Sequence, residues 1–85
     1  MSTLEKAKER LRQVPKDYTY NEARQLLVKL GFEERNQGRT SGSRVGFYRE
    51  RDDGVILLHK PHPNNEMSIA AVKALAEFLV GRGDL

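Results

Sequence analysis

The sequence predicts an α+β domain of two layers, ordered α-α-β-β-β-α, in which a three-stranded antiparallel sheet carries its helices on one face. Three observations point there. Apolar residues recur at helical spacing up to Leu30, the spacing changes to period 2 after Gly31, and it returns to 3.6 after Ser68.

Taken in order, "STLEKAKERLRQVP" places Leu4, Ala7, Leu11 and Val14 on one side of a first helix, with Ser2 or Thr3 to cap it and Pro15 to stop it. "TYNEARQLLVKLGF" opens on Thr19 and Glu22, the spacing of a reciprocal capping box. It buries Ala23, Leu26, Leu27 and Leu30 and ends at Gly31, which tolerates the left-handed conformation that terminates helices. "FEERN" reads as a short strand with Phe32 inward, and "NQGRTSG" as a loop. In "SRVGFYRE" the alternation sets Val45 and Phe47 on one face and Arg44, Gly46 and Tyr48 on the other. "DDG" (Asp52 to Gly54) is a turn, and "VILLHK" is apolar enough to be the central or best-covered strand, stopped by Pro61 and Pro63. Asn64, Asn65 or Ser68 can cap a last helix whose buried stripe is Ile69, Val72, Leu75, Ala76 and Leu79.

At 85 residues the chain holds one core and therefore one domain. A composition 38% hydrophobic and 32% charged is that of a soluble folded protein, and no apolar run approaches the roughly 18 residues of a membrane span. The start "MSTLEKAKER" lacks the apolar block of a secretory signal, and there is no cysteine for a disulfide or zinc site, so a cytoplasmic location is the default expectation. No Walker loop, dinucleotide fingerprint or Gly-x-Ser-x-Gly elbow is present, and no cofactor is expected.

The net charge of +3 is unevenly spread: Arg35, Arg39, Arg44, Arg49 and Arg51 stand against the single acid Glu50 between positions 35 and 51. Guanidinium forks suit phosphate oxygens, which makes this hairpin an RNA-directed surface or, more plainly, a solvated basic one. His59 and His62 are the only histidines. Either imidazole can take a 2′-hydroxyl proton and protonate a leaving oxygen, the two transfers of metal-independent RNA cleavage; the structural alternative is a strand-end His59 bonded to backbone and a His62 that shapes a Pro-flanked turn. Both histidines with Glu66 make a poor metal site, because Pro61 and Pro63 fix a backbone that need not converge them. Tyr48 and Phe47 beside Arg44 and Arg49 suit base stacking between phosphate clamps, although alternation sends one of the two aromatics to the core.

The segments "TYNEARQLLVKLGFEERNQGRTSGSRVGFYR" and "ILLHKPHPNNEM" together resemble the HicA toxin family of bacterial toxin–antitoxin systems. The likeness runs from about Tyr18 to Leu85 and is most specific at Gly42-Ser43 and "HKPHPNNE", so residues 18–85 read as the HicA-like core and 1–16 as an N-terminal helical extension. It implies a double-stranded-RNA-binding-domain-like fold, an mRNA interferase that cleaves messages and arrests growth, and a HicB-like antitoxin partner. Family members typically carry a catalytic His after Gly-Ser, whereas this chain has Arg44. Arginine stays protonated at physiological pH and cannot be a general base. The expected assignment is therefore Arg44 as phosphate clamp with His59 or His62 moving protons, and Arg39, Ser43, Arg44, Tyr48 and Arg49 as the RNA-binding set. The rival is a catalytically impaired module of the same fold that binds RNA or the antitoxin by occupancy. A DNA reader is disfavoured, because neither long helix presents a basic face.

Overall fold

The computed structural model describes residues 3–36, 44–59 and 66–85. Helices α1 (Thr3–Arg12) and α2 (Tyr20–Lys29) lead into strands β1 (Glu33–Asn36), β2 (Arg44–Arg49) and β3 (Gly54–His59), and α3 (Ile69–Gly81) follows. The sheet is antiparallel in the order β1-β2-β3, with the helices on one face, so the α+β expectation holds.

Local sequence rules account for most boundaries. The Thr19 hydroxyl accepts the Glu22 N–H while the Glu22 carboxylate accepts the Thr19 N–H, the capping box that its spacing predicts. Gly31, at φ 99°, closes α2: its N–H reaches the Val28 carbonyl and the Phe32 N–H reaches Leu27, the paired bonds that satisfy a helix end. The Ser68 hydroxyl caps α3 by accepting the Ala71 N–H. Helix α1 ends at Arg12, three residues before Pro15, and Val14 between them sits at φ 47°, a left-handed conformation that costs a β-branched residue about 1–2 kcal/mol.

The core lies between sheet and helices. Phe47 of β2, Leu26 and Leu27 of α2, and Val72, Leu75 and Leu79 of α3 are all fully buried. Helix α1 contributes Leu11 to the same cluster and is tied to α2 by Arg10, which pairs with Glu22 and Asp17. The Met67 N–H donates to the Tyr18 carbonyl at 2.8 Å, which fixes the start of α2 against the approach to α3.

Two expectations are corrected. β3 is an edge strand: β2, joined to each neighbour by a hairpin, takes the centre, and Val55 and Leu57 of β3 are 55% and 49% exposed on the uncovered face. Ile69, at the first position of α3, is half exposed as well, and the buried stripe begins at Val72.

A charged knot closes the far end of the sheet. Arg49 is 3% exposed and uses all five N–H donors: Nε and one terminal nitrogen grip Asp52, both terminal nitrogens grip Asp84, and one also donates to the Leu30 carbonyl. Its guanidinium lies 4.4 Å from the centroid of the Phe32 ring. Arg82 adds bonds to the Asp52 carboxylate and carbonyl. Gly54 leaves room for this arrangement, since a Cβ there would lie 2.8 Å from Arg82 Nε and would push that guanidinium aside.

These pairs make stability depend on acid. The Arg49 hydrogen bond holds the Asp52 carboxyl well below the usual carboxylate range, and the Arg10 hydrogen bond lowers that of Glu22. A carboxyl depressed in the folded state stabilises it fully above the unfolded pKa, about 4, and loses that contribution as pH falls toward the folded value. The melting temperature should therefore hold steady from pH 7 to about 5 and fall progressively below about 4. Thermal melts followed by circular dichroism check this. An unchanged acid limb in Asp52→Asn/Glu22→Gln would contradict it.

Candidate functional site

The uncovered face of the sheet presents three rows of positions set by strand register. Glu33, Tyr48 and Val55 form one row; Arg35, Gly46 and Leu57 the next; position 44 stands opposite His59 in the last. Rows lie about 6.7 Å apart, two residues of strand rise. His59, exposed at the end of β3, also borders an apolar hollow of about 430 Å³ between β3 and α3, with Glu66 and Met67 at its rim.

Tyr48 faces outward while Phe47 points to the core, as alternation requires. The phenol bonds the Asp53 carboxylate at 3.3 Å, and the Arg35 guanidinium lies 4.8 Å from the ring centroid. Partial burial, followed by the nearby Asp53 charge, raises the Tyr48 pKa, so the ring stays neutral. Gly46 contributes no side chain to the middle of this face and its backbone is buried beneath its neighbours, and a hollow of about 200 Å³ lies above it among Arg35, Tyr48 and Val55.

Of the residues expected at an RNA site, Arg44, His59 and Tyr48 lie on this surface by register, while Arg39, Ser43 and His62 fall outside the described residues. Arg49 does not belong to it. It shares the inner face with Val45 and Phe47, every donor is engaged, and about 17 Å of strand separates it from position 44. Its role is to hold the fold. Arg35 was missed: it counts among the clustered arginines, but its place beside Tyr48 appears only once β1 and β2 are paired. The alternation of β1, with Glu34 bonded to Tyr20 and Arg24 on the helix side, is the sequence signal that turns Arg35 outward.

No helix among the described residues is long and apolar enough to cross a membrane. Neither the curated proteins nor the solved structures compared with the chain contain a match. The family model for the HicA toxin of bacterial toxin–antitoxin systems matches residues 20–78, from the first residue of α2 into the last turns of α3. That span takes in every element except α1 and includes the whole open face, so the chain belongs to the HicA toxin family and is a toxin of the kind paired with an antitoxin.

Proposed function

We propose that the chain is a metal-independent endoribonuclease that cleaves messenger RNA and is held in check by a HicB-like antitoxin. The observation that carries this reading is the register, which sets position 44 across from His59 at one end of an open, partly apolar face. The attacking group is a ribose 2′-hydroxyl. Its oxygen forms a bond to the adjacent phosphorus as the bond to the 5′-oxygen breaks, leaving a 2′,3′-cyclic phosphate and a 5′-hydroxyl end. One imidazole takes the 2′-hydroxyl proton and an imidazolium returns a proton to the leaving oxygen, with His59 or His62 in these roles. Arg44 holds the phosphate and offsets the charge that builds on its oxygens. Arg39 and Ser43 serve the RNA backbone in the same neighbourhood, and Tyr48 supplies a stacking surface.

The test is induction in bacteria, with growth and new RNA 5′ ends mapped for the wild type, His59→Ala, His62→Ala and Arg44→Ala at matched expression. Loss of a proton-transfer group should lower the cleavage rate by about 10²–10⁴-fold, so new 5′-hydroxyl ends should vanish with one histidine and with Arg44. Ends that persist in both histidine variants would remove the imidazoles from the mechanism. Growth arrest without new ends would leave a toxin that acts by occupancy, the role favoured by an arginine where family members typically carry the catalytic histidine.

A further inference from the structure

We infer that the hollow over Gly46 seats one unstacked nucleobase of the RNA strand, held against the Tyr48 ring and the Arg35 guanidinium. This rests on the reading of the chain as an RNA-directed toxin and assigns a specific part of the strand to a specific place on the face.

Space comes first. At the centre of the middle row Gly46 contributes no side chain, while Arg35 and Leu57 on either side and Tyr48 and Val55 in the next row stand above the backbone. The resulting volume of about 200 Å³ is below the roughly 300–1,000 Å³ of pockets for drug-sized ligands and suits a single flat ring system.

The lining suits a base in particular. A phenol ring and a guanidinium plane are the two protein surfaces on which single-stranded bases stack; here the guanidinium lies over the Tyr48 ring, 4.8 Å from its centroid, so a base takes the place of Arg35 on the ring or adds to the stack and does not enter between them. Arg35 is held by an exposed pair with Glu33 at 3.2 Å and by its contact with the Tyr48 ring, each worth no more than about 1 kcal/mol at an exposed site, so its guanidinium can turn onto an incoming base at small cost. Val55 gives an apolar wall, and the cation at the lip favours a ligand whose backbone is anionic.

Distance links the hollow to the chemistry. The row of Gly46 is about 6.7 Å from the row of position 44 and His59, which puts the sugar of a base seated over Gly46 beside the place where the 2′-hydroxyl would react. A base inside a duplex cannot enter. The site therefore selects unpaired RNA and, because it grips a π-face rather than a hydrogen-bonding edge, discriminates weakly among the four bases.

The probe is a short 2′-fluoro oligoribonucleotide, which lacks the attacking hydroxyl, carrying a dye and prepared as a series with one base removed at a time. Anisotropy titrations of the wild type should show a loss of about tenfold when one particular base is absent and little change elsewhere. In Gly46→Val, which fills the hollow with a residue suited to strands, and in Tyr48→Leu, that position-specific loss should disappear, while circular dichroism shows folded protein. A uniform response to base removal in the wild type, or a specific loss that survives both folded variants, would overturn the assignment while leaving RNA binding intact. A wild type that binds no member of the series would remove the RNA reading and the base site together, and would leave the face to a protein partner.

Discussion

Replacing Arg49 with alanine should lower the unfolding free energy by about 3–5 kcal/mol, because it leaves the largely buried Asp84 carboxylate with only the exposed Arg51 at 3.7 Å and leaves the half-buried Asp52 to Arg82 alone. Asp84, on the C-terminal segment, and Asp52, in the turn after β2, both close on that single guanidinium, and the Leu30 carbonyl loses its donor at the same time. A domain of this size has roughly 4–13 kcal/mol in all, so the variant should sit close to unfolding at 37 °C. Urea titration followed by circular dichroism measures the loss. Adding Asp84→Asn to Arg49→Met should recover part of it, since no buried carboxylate at position 84 is then left without its countercharge. If Arg49→Ala unfolds like the wild type but binds RNA less well, the buried knot is the wrong account and the arginine serves the ligand.

The second large effect separates two neighbours. Phe47→Ala should cost about 3–5 kcal/mol, since a fully buried ring at the middle of the central strand, 6.4 Å from the Tyr20 ring, leaves a cavity that the sheet cannot close. Tyr48→Ala, one residue on, should change stability by no more than about 1 kcal/mol, because its ring stands on the open face. Its expected effect is on RNA affinity. Comparable losses of stability in the two variants would show that the open face is packed in solution.

The helices were legible in the sequence because their ends are written in local chemistry: Thr19 with Glu22, Gly31, and Ser68 each act within a turn of where they stand. Arg49 was legible too, and residue type obscured it. The alternation that sends Val45 and Phe47 inward sends Arg49 with them, but an arginine in a basic hairpin reads as a ligand for phosphate unless the distant partners Asp52 and Asp84 are known. The place of β3 could not be read from composition. Strands covered on both faces are apolar throughout, and β3 imitates one with Val55 and Leu57 on a face that no part of the described chain covers. Arg35 illustrates a third limit, since its neighbour Tyr48 is set by cross-strand register and not by any spacing along the chain.

The position of β3 also bears on how the protein behaves in company. From Gly54 to His59 the strand carries no lysine, arginine, acid or proline, the residues by which natural sheets discourage further pairing. Its outer backbone donors and acceptors are a template for another strand, and its apolar side chains reward the addition. Free toxin at high concentration thus faces a route to edge-to-edge association that a bound partner lying along the same edge would block. For such a chain, a partner that silences activity can also act as the agent that keeps it dispersed.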